Sequence, residues 1–337
     1  MFTAKRVPLR IILPFAWRPV LFFLAYSTLI CLLFQIAGWH SLAVPFLPIG
    51  LIGTAVAFYV GFKNNSSYER LWEGRRIWGS LVNASRSWAI MVCDYIVDRD
   101  DPGSVAEKEL RCIRERLIYR NIAYLNALRI QLRRRTVWQE CVGAEHEIIE
   151  HIEAFRQNDL DKELGQFLSK EEVESVLRKQ NPATHLIRNQ SADLRDLRAR
   201  GLLSDYYHAE LQRLLVEFYN QQGACERIKS FPFPRQYAFF GFLFVWLFIF
   251  VLPYGLLGEM AKMGDWYTWL TIPFYTVIAW VFYTMEVIGD TSENPFENSI
   301  NDVPLSAICR NVEIDLKEML GETGVPERLQ AVQDILM

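Results

Sequence analysis

No pair among the six cysteines is spaced as CxxC, and no two of the five histidines stand in an HExxH-type arrangement. The first absence argues against a zinc or thioredoxin-type centre, the second against a helical metal site, so no metal or other cofactor is expected. The thiols (Cys31, Cys93, Cys112, Cys141, Cys225 and Cys309) and the histidines (His40, His146, His151, His185 and His208) are scattered. Free thiols of this kind suit a reducing cytosol. A net charge of -3 and the lack of an aromatic-basic motif leave nucleic acid out of the expected partners. No nucleophile–base arrangement accompanies the charged clusters, so no catalytic residues are assigned and the chain is not expected to be an enzyme.

Hydrophobic residues make up 51% of the 337 and charged residues 22%, which describes neither a disordered nor a uniformly apolar chain. The apolar residues gather near the two ends and leave a charged middle. After a start carrying Lys5, Arg6, Arg10 and Arg18, an apolar run is bracketed by Trp17 and Trp39. It is long for a signal peptide and lacks a small-residue cleavage site, so it reads as a membrane span. Pro45 and Pro48 open a second apolar segment. The loop between the two has no Lys or Arg, whereas Lys63, Arg70, Arg75 and Arg76 follow the second span. The positive-inside rule puts both ends of this hairpin in the cytosol. A second hairpin follows Lys229 and Arg235.

The expected fold is therefore an all-α integral membrane protein with four transmembrane helices in two hairpins. The spans fall at residues 18–39, 46–63, 236–258 and 266–288. A helical cytosolic region, 64–235, is inserted between the hairpins, and a cytosolic tail, 289–337, follows. The expected location is the cell (inner) membrane, with both termini in the cytosol and the lipid bilayer as a partner. Ser169 and Glu172 form a capping-box pattern, and Asn181-Pro182 and Gly201 mark breaks. The basic run Arg133 to Arg135 reads as a solvated helix face.

The stretch from Thr54 to Ser80 reads as one helix that leaves the bilayer and continues into the cytosol. Thr54, Phe58 and Phe62 recur at i, i+4 and i+8 and so share one face. Gly53, Ala57 and Gly61 form a small-residue row beside them, open to close approach by a neighbouring helix. Such a pair of rows suits a ring of identical helices around a narrow pore; the same phenylalanines could equally face lipid or core. Backbone N–H groups around Ile49 and Gly50, just after Pro48, offer an anion a helix N-terminus. Glu73 and Arg76 are spaced to pair on the helix surface. Glu286, near the end of the fourth span, either meets a partner or snorkels to the boundary.

Three stretches, NNSSYERLWEGRRIWGSLVN, GACERIKSFPFPRQYAF and EVIGDTSENPFENSINDVPLSAICRNVEIDL, resemble in order and separation the signature regions of bestrophins, particularly prokaryotic ones. That resemblance implies a homopentameric channel with one central pore conducting monovalent ions. Its hydrophobic neck would fall at Thr54, Phe58 and Phe62, with Thr54 departing from the usual large apolar residue. A second constriction, the cytosolic aperture, would fall at Tyr206, beside Asp205 and Tyr207; a tyrosine packed between helices is the competing reading there. Some eukaryotic members bind calcium through acidic residues after the NPF triplet. Here Glu297 and Asp302 are separated by amides and an isoleucine, a poor hard-oxygen set, so no such calcium gate is expected. Chloride is the favoured ion, with a cation-selective channel as the alternative and a membrane-anchored enzyme or helical scaffold as readings of another class.

Overall fold

An apolar segment in lipid must satisfy its backbone internally, and a helix does so within one segment. The computed structural model describes residues 1, 3, 9–98, 106–134, 159–332 and 334–337. Lys5, Arg6, Arg135, Cys141, His146 and His151 lie outside the described residues. Apart from an isolated bridge between Val332 and Ile335, the regular structure among the described residues is helical. In chain order the α-helices are α1 (Leu9–Gln35), α2 (Phe46–Tyr95), α3 (Glu107–Leu132), α4 (Leu160–Leu164), α5 (Lys170–Leu177), α6 (Pro182–Ala199), α7 (Asp205–Ser230), α8 (Arg235–Ala261), α9 (Thr271–Thr291) and α10 (Leu305–Met319). Short 3₁₀ turns, His40–Leu42 and Asp265–Leu270, precede α2 and α9. Four helical segments are long and apolar enough to cross a membrane: Ala16–Gln35, the start of α2, α8, and Asp265–Thr291.

Two units share the chain, and α2 runs without a break from one into the other. The apolar unit comprises Ala4–Leu71 and Pro232–Asn294. Its core joins Phe23 of α1, Ile49, Val56 and Val60 of α2, Val245, Phe248, Ile249 and Leu252 of α8, and Tyr275 and Ala279 of α9. Several of its polar side chains bond the backbone one turn back or a neighbouring segment. Ser27 and Thr28 donate to the Phe23 and Leu24 carbonyls one turn back, and Gln35 Nε2 donates to Thr268 Oγ1 at 2.8 Å. A side chain at Gly258 of α8 would stand 2.5 Å from the Val44 carbonyl oxygen, so only glycine lets the chain entering α2 lie against that helix.

The helix over the first expected span ends early. α1 ends at Gln35 rather than 39, because Gly38 takes a positive φ of 71° and turns the chain. The fourth starts as the 3₁₀ turn at Asp265 and ends at Thr291, three residues beyond Ile288.

The polar unit comprises Met1–Thr3, Trp72–Phe231 and Pro295–Met337. Its centre is α3, whose residues from Leu117 to Leu132 are nearly all buried, with α6, α7 and α10 packed on it. Ser169, Asn181 and Ser204 cap α5, α6 and α7 by accepting backbone N–H groups of the first turn. Glu172 does not close the capping box; its carboxylate holds the buried Arg120 at 2.6 Å. Phe296 of the NPF triplet is buried against Gly74, where an added Cβ would meet its ring at 3.1 Å.

Candidate ion-conduction surface

An α-helix turns about 100° per residue. Val56 and Val60 of α2 point into the apolar core, so Phe58, two residues (some 200°) from each, points away from it. Phe58 is 79% exposed and Phe62 69%, although both are large apolar rings. Thr54 is exposed on the same face, and its hydroxyl donates to the Gly50 carbonyl at 3.0 Å. The three residues singled out from the sequence thus form one uncovered row. Phe58 and Phe62 also border an apolar groove of about 330 Å³ that Ala55, Tyr59, Lys63, Phe233 and Tyr237 complete. Nothing in the sequence pattern joined Phe233 and Tyr237 to this row; they follow from the packing of α8 beside α2, where Tyr59 and Tyr237 stack at 5.7 Å.

The small-residue row divides. Gly53 serves the chain's own packing, since a Cβ there would lie 2.6 Å from the Phe248 ring of α8. Gly61 has nothing within 4 Å of the corresponding position, and Ala57 is exposed. Ile49 and Gly50 part as well. α2 begins at Phe46, so its first-turn donors are those of Phe46, Leu47 and Ile49, Pro48 having none. Gly50 N–H faces the Phe46 carbonyl inside the helix and is not free for an anion, which corrects half of that expectation.

Glu286 does not snorkel. It is 3% exposed and meets the equally buried Lys63 at 2.5 Å, and Lys63 also meets Asp290 at 2.7 Å. The sequence marked Glu286 as odd but assigned Lys63 to the positive flank; an apolar stretch holding one carboxylate was the available signal for a buried partner. Beside this network Ser67 Oγ donates to the Gly289 carbonyl, and Arg70 Nε to the Glu293 carbonyl, each at 2.8 Å. The first and third signature stretches are thereby sewn together.

In the polar unit, Tyr206 stands 69% exposed in the first turn of α7. Packing between helices, the competing reading for it, describes Tyr207 instead, whose ring stacks on Tyr95 at 4.0 Å. Asp205 pairs with Arg198 at 2.5 Å. Glu73 pairs with Arg227 at 2.5 Å rather than with Arg76, because α7 brings a guanidinium to it that lies far off in sequence. Asp302 is buried, and its Oδ2 accepts the Ser299 N–H at 3.0 Å. Burial pushes its carboxyl up to about 7.

Comparison with known proteins agrees with this architecture. A voltage-dependent anion channel-forming protein of Escherichia coli K12, YneE, is 28% identical over 303 residues, covering 89% of this chain and 86% of its own. A protein of the same description from Mesorhizobium japonicum is 28% identical over 312 residues, covering 92% of this chain and 86% of its own. The crystal structure of a bacterial bestrophin homolog from Klebsiella pneumoniae shares the fold, with a TM-score of 0.74 at 24% identity over 90% of this chain and 98% of that one. The family described as Bacterial/Fungal Bestrophin protein matches residues 7–318. With its signature stretches sewn together as described and its family match spanning nearly the whole length, the chain belongs to the bestrophin family.

Proposed function

We propose that this chain is one subunit of a homopentameric anion channel of the cell (inner) membrane, with chloride its principal ion. The observation that carries the proposal is the row Thr54, Phe58 and Phe62, left uncovered on the face of α2 opposite the core. Two large aromatic rings in this position await a cover or a pore, and relatives of the chain are named as anion channel-forming proteins. Five copies of the row around one axis form stacked apolar rings, a neck that gates by losing and regaining water. Thr54 has its hydroxyl proton committed to the Gly50 carbonyl, so it presents an oxygen and a methyl group to the outermost ring.

Anion preference follows from the aromatic quadrupole, negative at the face and positive at the edge. Phenylalanines pointing at an axis present mostly edges to a passing ion. Asp205, the carboxylate beside the proposed aperture at Tyr206, has its charge offset by Arg198, which weakens the case for cations. Ile49, at the start of α2, offers the outer approach a backbone donor. In this reading both hairpins open to the cytosol and the polar unit, including the tail, is cytosolic. The activity is passive conduction, not catalysis.

A chloride-efflux assay from liposomes holding the purified protein tests this. Wild-type protein releases trapped chloride once the counter-ion is shunted, and the double substitution Phe58→Ala with Phe62→Ala speeds release severalfold by widening and wetting the neck. Efflux unchanged by the double substitution would remove Phe58 and Phe62 from the gate.

A further inference from the structure

Arg129 is only 5% exposed, yet its Nε has no hydrogen-bond partner. A buried, unpaired donor on a charged group is costly unless something fills the place. Arg129 lines a cavity of about 80 Å³ in the polar unit, between the end of α3, α4 and α10. Arg133 and Arg310 line it too, with Glu163, Glu313 and Ser306. The guanidiniums are held in place. Arg129 donates to Glu163 at 3.0 Å and to Ser306 Oγ at 3.1 Å, and Arg133 donates to the same hydroxyl at 2.8 Å. Arg310 lies 3.4 Å from Glu313, which also takes Lys317 at 2.9 Å.

Charge in this wall does not balance. Three guanidiniums face two carboxylates, and one of those carboxylates is shared with a lysine outside the lining. Burial first, then the neighbouring Arg129, pulls the Arg133 guanidinium down to about 9, against the opposing effect of Cys309, Asp302 and Glu163. Arg133, the first residue of a basic run that reads as a solvated face in the sequence, is thus part of a partly buried cationic wall.

We propose that this cavity is a binding site for a small tetrahedral oxyanion of the phosphate class. Planar guanidiniums with several fixed N–H donors match oxyanions bidentately, a fit that a spherical halide does not exploit. The space admits one such group and excludes a nucleotide. The anion would supply the missing charge and a partner for Arg129 Nε. This site is separate from the conduction row and stands whether or not that row forms a pore.

The test uses the full-length protein in detergent, titrated calorimetrically with inorganic phosphate, sulfate or acetate against a constant chloride background. Phosphate and sulfate bind saturably, and acetate more weakly. Arg133→Gln and Arg310→Gln each weaken phosphate binding on the order of tenfold or more, as the loss of a charge-assisted hydrogen bond predicts. Arg310 is a third exposed, so its variant keeps the fold if Arg133→Gln does not. No saturable phosphate binding, phosphate binding unchanged in Arg310→Gln, or acetate bound as tightly as phosphate would each overturn the assignment. A water-filled cavity gives the first of these results.

Discussion

Lys63, Glu286 and Asp290 form a charge network inside an apolar unit, and its removal has a calculable consequence. Lys63 and Glu286 are each 4% exposed at the side chain, while Asp290 is 47% exposed. Breaking a buried pair by removing one partner costs about 3–5 kcal/mol, since the other charge is left unpaired. Here Asp290 stays beside Lys63 at 2.7 Å, so Glu286→Leu should cost less, about 2–3 kcal/mol. Lys63→Met leaves Glu286 with no cation and should cost the full amount. The double substitution Lys63→Met with Glu286→Leu removes both buried charges, and Asp290 can turn its half-exposed carboxylate to water. The double variant should therefore be more stable than Lys63→Met alone, with a coupling on the order of 2 kcal/mol. Thermal unfolding of the detergent-purified protein, followed by tryptophan fluorescence, reads this as a shift of several degrees. Additive losses across the two single variants and the double would refute the claim that these groups act as a buried pair.

The remaining predictions concern assembly and pH. Gly61→Leu should leave each subunit folded but break the proposed pentamer, because no other part of its own chain lies within 4 Å of an added Cβ; light scattering after size exclusion should report a smaller particle with unchanged helical content. Gly53→Leu should instead lower thermal stability, by roughly 1–3 kcal/mol or more, as the added side chain meets the Phe248 ring. Asp302 has its folded pKa raised from 3.8 to about 7, so the stability it contributes is full below pH 3.8 and is lost as pH rises through 7. Thermal unfolding should therefore show a fall in Tm between about pH 4 and 7 that flattens in Asp302→Asn.

Much of the membrane architecture was legible because it rests on local quantities. Apolar run length marked the spans, proline placement marked the entry to α2, and the i, i+4 spacing of Thr54, Phe58 and Phe62 marked a face that the fold leaves uncovered. The same local reasoning failed where the partner lies far away in sequence. Glu73 had Arg76 within reach on its own helix, yet Arg227 of α7 takes it. Lys63 reads as a cytosolic flank until α9 brings Glu286 and Asp290 to it. Gly53 and Gly61 look alike in a small-residue row, but only the first meets α8. Arg133, which lines the cavity with Arg129, opens a basic run that reads as solvated. The burial of the two depends on α4 and α10, whose approach to α3 no periodicity within the stretch encodes.

The central claim, an anion-selective neck built from Phe58 and Phe62, is tested most directly by the reversal potential of the reconstituted channel in a planar bilayer under a potassium chloride gradient. The account predicts a reversal potential displaced toward the chloride equilibrium value, with the displacement reduced in Phe58→Ala with Phe62→Ala. A wild-type reversal potential at the potassium equilibrium value would contradict it and move selectivity to the carboxylates outside the neck.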